Sequence, residues 1–188
     1  GTLMKAPLQK YDIYALSISA TTRSPREGEA DGREYFFLTE EAFEEKIRKN
    51  ELIEYARYVN HYYGTPRDYV EQKMAEGKDV ILEIEIQGAL KVKEQYPDAI
   101  LLFVMPPNAL TLKNRLTGRG TETEEVIDAR LKRAADEAEG IEAYDYILIN
   151  DDLDACVEQM HCLIQGQHCR VSQNLELIQQ MRSQLKEL

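Results

Sequence analysis

Ile100 to Met105 is an unbroken run of six apolar residues, ended by Pro106-Pro107. A run without polar alternation reads as a strand buried on both faces, which is the condition of a parallel sheet covered by helices. It is far too short to cross a bilayer, and the two prolines prevent it from continuing. Other segments fit around it. Tyr14 to Ser19, Val80 to Ile86 and Tyr146 to Asn150 read as strands, with Glu83 and Glu85 on one face at period two. Helical stretches at Leu90 to Tyr96, Ala109 to Arg115, Glu122 to Glu139 and Leu153 to Leu163 alternate with them. That alternation predicts a doubly wound α/β sheet.

The segment between the first two strands has a different character. Tyr35 to Leu38 predicts a strand, and Thr39 is a good N-cap for a helix over Glu40 to Lys49, with Phe43 and Ile47 on one face. Leu52 to Tyr58 and His61 to Tyr63 predict strands of a small mixed lobe, and Pro66 to Gly77 a helix. At the far end, Gln173 to Leu188 predicts a tail helix with Leu177, Met181 and Leu185 stacked on one side. Such a stripe needs a surface to cover, its own domain or a second subunit. A subunit contact, hence a homo-oligomer, is the preferred expectation.

With 188 residues, 43% of them hydrophobic, one domain with a sizeable core is expected. The 23 basic and 34 acidic residues leave a net charge of −11. A global field of that sign repels nucleic acid, so an anionic ligand must be met by a local cluster of cations. No segment reads as a membrane span or signal peptide, and a cytoplasmic protein is expected. Cys156, Cys162 and Cys169 are odd in number and crowded late in the chain, which argues against a disulfide framework. His161-Cys162 and His168-Cys169 match no zinc spacing, and Gly166 interrupts the segment, so reduced, partly buried thiols are expected.

Ser19 to Tyr35, SATTRSPREGEADGREY, supplies such a cation cluster. Arg23 and Arg26 flank Pro25, which fixes its own φ and biases Ser24 away from helix. Two guanidinium forks on a stiffened turn suit a phosphate bidentately. Glu27, Glu29, Asp31 and Glu34 nearly cancel the arginines, so for this segment alone a solvated polar loop is an equal alternative.

The pattern S-x-TTR-x-PR-x-GE-x-x-G-x-x-Y resembles the GMP-binding segment of guanylate kinases. NELIEYA, NHYYGTPR, VILEIEIQGA, GRGTETEEVIDARL and YDYILINDDLD resemble the family's remaining landmarks, in order, to about Leu163. The resemblance implies a P-loop NTPase-like parallel sheet with helices on both faces, a small mixed α/β GMP-binding lobe and a helical lid. The implied bounds are a core over 1–18, 80–115 and 136–165, the lobe over 19–79, the lid over 116–135 and the tail helix over 173–188. It implies ATP and GMP as substrates, giving ADP and GDP, with Mg²⁺ carried by the ATP and no metal bound directly by the protein. Arg23 and Arg26 would hold the GMP phosphate, with Tyr35 and Tyr63 as hydroxyl donors. Glu54 would accept from guanine N1–H and the 2-amino group, Ser19 and Thr65 would contact the base edge, and Glu29 would steady the arginine turn. Arg115, Arg119 and Arg130 would approach the ATP phosphates, with Asn150 and Asp151 on the adenine side. Arg119 and Arg130 join Arg23 and Arg26 as catalytic residues, whereas Arg133 reads as a solvated helix position beside Glu partners.

Two departures stand out. Glu85 occupies a place where the family often has aspartate, which leaves its contact to base or magnesium shell open. Gly1-Thr2 resemble only the tail of the family's glycine-rich phosphate loop and would lie on the ATP side, while the loop lysine and the preceding strand do not appear. The missing strand and loop are expected to belong to the intact protein, and turnover without that lysine is in question. Pro7 is tolerable if the first turn of its helix begins around Leu3. A phosphotransferase is the leading reading. The alternative is an inactive guanylate-kinase-like module that binds phosphorylated or acidic peptides.

Overall fold

A computed structural model describes residues 2–58, 60–118 and 123–188, apart from the side chain of Thr2. The chain begins with α1 (Thr2–Lys10), β1 (Tyr14–Leu16), β2 (Ala20–Thr21), β3 (Phe36–Phe37) and α2 (Glu40–Arg48). It continues with β4 (Leu52–Tyr58), β5 (His61–Pro66), α3 (Arg67–Ala75), β6 (Asp79–Ile81) and α4 (Ile86–Gln95). The last third is β7 (Leu102–Met105), α5 (Ala109–Thr117), α6 (Glu124–Ala138), β8 (Tyr146–Ile149), α7 (Leu153–His168) and α8 (Leu175–Glu187).

Parallel pairing is present as expected, but in two ribbons. β1 pairs with β6, Tyr14 opposite Asp79, and β7 pairs with β8, Leu102 opposite Tyr146. No strand among the described residues joins them. For that reason β7 is half-buried along its length, not buried on both faces. Helices α1 and α7 pack together over Leu3, Leu148, Cys156, Val157 and Met160, the largest of the buried clusters.

Several boundaries differ from the expectation for physical reasons. The strand predicted over Val80 to Ile86 ends at Ile81, whose carbonyl takes the last ladder bond from Ser17 at 2.9 Å. Leu82 and Ile84 then turn into the cluster of Ile53, Val70 and Val92, and α4 starts at Ile86. Glu83 and Glu85 therefore line no strand face. Gly166 does not interrupt α7: its missing side chain faces open space, so it costs propensity without breaking the helix. Pro7 lies well inside α1, not in its first turn. Its ring is fully buried, and that burial offsets the hydrogen bond it removes.

Cys156 is buried, whereas Cys162 and Cys169 are exposed. The neighbouring histidines have packing partners: His161 stacks on Tyr11 and hydrogen-bonds Tyr14 Oη at 2.6 Å, and His168 pairs with Asp79. The stripe on α8 is uncovered by the described residues, with Leu177, Met181 and Leu185 at 60, 51 and 63% exposure. No helix among the described residues is long and apolar enough to cross a membrane.

The lobe is a four-stranded mixed sheet in the order β3-β2-β5-β4. Thr39 caps α2 by accepting from the Ala42 amide at 3.2 Å, worth about 1 kcal/mol for such caps. Phe43, wholly buried on that helix, stacks on Tyr62 of β5 and packs with Ala20 and Leu52. This seats α2 against one face of the sheet and leaves the odd-numbered residues of β5 on the other.

Candidate functional site

Thr21 and Thr22 pin the start of the arginine turn to β5. The Thr21 hydroxyl donates to the Tyr62 carbonyl at 2.9 Å and accepts from the Arg23 amide at 3.2 Å. Thr22 Oγ1 accepts from the Tyr62 amide at 2.9 Å. Neither threonine is among the expected site residues, although the paired hydroxyls before Arg23 were a readable signal for turn anchoring.

Glu29 organises the turn from inside. Arg23 donates to its two carboxylate oxygens at 2.9 and 3.0 Å, and the Arg26 amide donates to it at 2.7 Å. Gly28 completes the bend with φ +83, where a side chain would strain the backbone. The Arg23 guanidinium, then the Arg26 amide, hold the Glu29 carboxyl below the ordinary glutamate range. Arg23 also donates to the Ser24 carbonyl and interacts with Tyr63, so these contacts use only part of its five donors.

The same guanidinium lies 5.3 Å from the Tyr35 ring and 5.8 Å from Phe37. Tyr35 meets Tyr63 edge-on at 6.1 Å. Arg23, Glu29, Tyr35 and Tyr63 therefore converge. Arg26 is tied to them through its backbone, and its exposed guanidinium has no carboxylate partner among the described residues. Ser19 joins the lobe through its carbonyl, which accepts from Phe36 at 2.9 Å.

Two residues along β5 from Tyr63, on the same side, stands Thr65. It faces Glu54 across the β4–β5 ladder, and its hydroxyl donates to Glu54 Oε1 at 2.6 Å. A bulge between Leu52 and Glu54 makes this pair possible. By simple alternation Glu54 would share the face of Leu52; the extra residue carries its carboxylate to the opposite face, that of Thr65. Glu54 is 7% exposed and Thr65 is wholly buried. Burial pushes the Glu54 carboxyl above the ordinary glutamate range, while the Thr65 hydroxyl and the Lys91 ammonium pull it back.

Gly88 on α4 is the other wall. A Cβ there would lie 2.7 Å from Glu54 Oε2 and 3.1 Å from Glu54 Cδ. The Thr65 bond keeps that carboxylate from moving aside, so only glycine fits. Gly88→Ala is expected to displace Glu54, break the Thr65 bond and weaken binding of any ligand read by Glu54 by about tenfold. Calorimetry on the variant checks this.

The remaining expected residues lie elsewhere or form other contacts. Arg115 on α5 donates to the Asn150 carbonyl at 2.5 Å and the Asp151 carbonyl at 3.3 Å, capping the end of β8. Arg130 is exposed on α6. Arg133 pairs with Glu137 on its own helix, in line with the expected Glu partners, and also forms an ion pair with Glu85, which lies outside that helix. Thr2 opens α1. Gly1 and Arg119 lie outside the described residues.

The two carboxylates predict an order of events on acidification. Glu54, raised, takes up a proton at a pH where ordinary glutamates are still ionised. Glu29, lowered, keeps its charge until below that range. The sign for stability differs accordingly. The Glu29 contribution is present above its unfolded value and lost as pH falls through its folded one. The Glu54 contribution is present below its unfolded value and lost as pH rises through its folded one. The Glu54 carboxyl should therefore be neutralised before the arginine turn loosens. A carboxyl-resolved NMR titration of the ligand-free chain tests this order. Wild type should show one carboxyl titrating above the ordinary glutamate range, and Glu54→Gln should lack it.

Fold and site together define an α/β protein with an arginine turn beside a buried carboxylate on one sheet face. The guanylate kinase family model matches residues 2–167. Guanylate kinase of Caldanaerobacter subterraneus subsp. tengcongensis is 46% identical over 184 residues, 98% of this chain and 89% of that protein. That of Bacillus subtilis is 46% identical, with 90% and 84% covered. The crystal structure of guanylate kinase from Anaplasma phagocytophilum superposes with a TM-score of 0.73 at 30% identity, covering 90% of this chain and 82% of that one. The chain belongs to the guanylate kinase family.

Proposed function

We propose that the protein transfers the γ-phosphoryl group of ATP to GMP, giving ADP and GDP. The observation that carries this is the shared face of β5: Tyr63 with Arg23 and Tyr35 at one end, Thr65 with Glu54 at the other. A purine monophosphate has the matching polarity, an anion at one end and a hydrogen-bonding edge at the other.

In this reading the exposed Arg26 fork and the unspent donors of Arg23 hold the phosphate, with Tyr35 and Tyr63 as hydroxyl donors. Glu54 accepts from N1–H and the 2-amino group of guanine, and Ser19 and Thr65 contact the base edge. Glu85 stands beside this pocket, near enough for its charge to oppose ionisation of Glu54. An acceptor oxygen of the GMP phosphate attacks the γ-phosphorus. The bond from γ-phosphorus to the bridging oxygen breaks, and ADP leaves with the electron pair. The acceptor is largely dianionic near neutral pH, so no general base is required. Positioning and neutralisation of like-charged oxygens are the catalytic work.

Arg119, Arg130 and Arg115 are assigned to the ATP phosphates, and Asn150, with Gly1 and Thr2, to the ATP side. Among the described residues no group of three His, Cys, Asp or Glu could cage a metal. In this reading Mg²⁺ would be held mainly by nucleotide oxygens, where it would add charge neutralisation. A coupled assay of ADP release tests the proposal. GMP should start turnover, and AMP should support less than about a hundredth of it. ADP release independent of GMP, or equal with AMP, would overturn it.

A further inference from the structure

Arg133 joins three parts of the molecule. On α6 its Nε donates to Glu137 at 3.0 Å. Its Nη2 pairs with Glu85, the residue that precedes α4 as its N-cap. Its guanidinium also lies 5.2 Å over the ring of Tyr58, at the end of β4 and the tip of the lobe. Just past the end of α6 is a second point of contact, where Ile86 Cδ1 of α4 lies 2.3 Å from the place a Cβ on Gly140 would take. The two points are about two helical turns apart, and together they set the direction of the helix. Arg130 is three residues before Arg133 and shares its side of α6. Glu85 in turn leads into the turn of α4 whose Gly88 abuts the Glu54 carboxylate.

We propose that Arg133 is a positioning residue: its bridge from Glu85 to Tyr58 holds α6, and with it Arg130, in register with the guanine side of the lobe. The inference rests on the reading that the lobe binds GMP only where occupancy is concerned; the bridge itself is independent of it. Amide hydrogen exchange of residues 128–136 tests both. In Arg133→Met these amides should exchange about fivefold faster than in wild type, the size expected for a partly exposed charge network. Arg133→Lys should recover part of the protection. Glu137→Gln removes only the pair within the helix and should match wild type. On adding GMP, protection should spread to residues 128–136 in wild type and not in Arg133→Met. Wild-type exchange in Arg133→Met, or equal acceleration in Glu137→Gln, would overturn the inference. So would GMP protection of α6 that survives in Arg133→Met. If GMP fails to protect residues 54–65 in wild type, the GMP reading has failed, while the ligand-free comparison still decides the bridge.

Discussion

Arg26→Ala should bind GMP about 100-fold more weakly than wild type, the loss expected for two charge-assisted hydrogen bonds. The melting temperature should hardly move. The turn is held by the Arg26 backbone amide, which alanine retains, and by the Arg23–Glu29 pair, which it does not touch. The side chain itself is exposed and has no carboxylate partner among the described residues, so nothing in the fold is left unpaired when it is removed. Calorimetry for affinity and calorimetric melting for stability separate the two effects. Unchanged GMP affinity would remove Arg26 from the site.

Glu54→Gln should lower the GMP:AMP affinity ratio by at least about 100-fold. An ionised carboxylate offers two acceptors to the two donors of guanine. The amide offers one acceptor and sets its own donor against the other, so a hydrogen-bond pair is exchanged for a donor–donor conflict. AMP, which lacks both donors, leaves the buried carboxylate with the Thr65 hydroxyl but without its two base partners in wild type, and gains from the change. The fold should be as stable as before or slightly more so, because a desolvated charge has been removed. Loss of selectivity without loss of stability identifies a base reader; loss of both would identify a structural glutamate.

Local chemistry explains what could be read from the sequence. Thr39 caps its helix because its hydroxyl needs only the amide three residues on, and β4 spans Leu52–Tyr58 as the residue pattern indicates. The arginine turn was legible for the same reason: Arg23, Arg26 and Glu29 lie within seven residues and meet one another. What escaped depends on distant partners. The bulge that aims Glu54 is a matter of register against β5, and Gly88 matters only because Glu54 arrives from β4. The Glu137 partner of Arg133 was legible at helical spacing, whereas Glu85, 48 residues away in sequence, and Tyr58 give no local signal. The parallel pairing was legible, but its division into two ribbons was not, because hydrophobic runs do not specify which edges meet.

The central claim is that fixed guanidinium groups and one buried carboxylate share a sheet face shaped for a purine monophosphate. Calorimetric titration of the wild-type chain with GMP, guanosine and AMP tests it most directly. The account predicts GMP binding at one site, with guanosine and AMP each weaker by at least about 100-fold. Guanosine binding as tightly as GMP would contradict the phosphate hollow, and AMP doing so would contradict the role of Glu54.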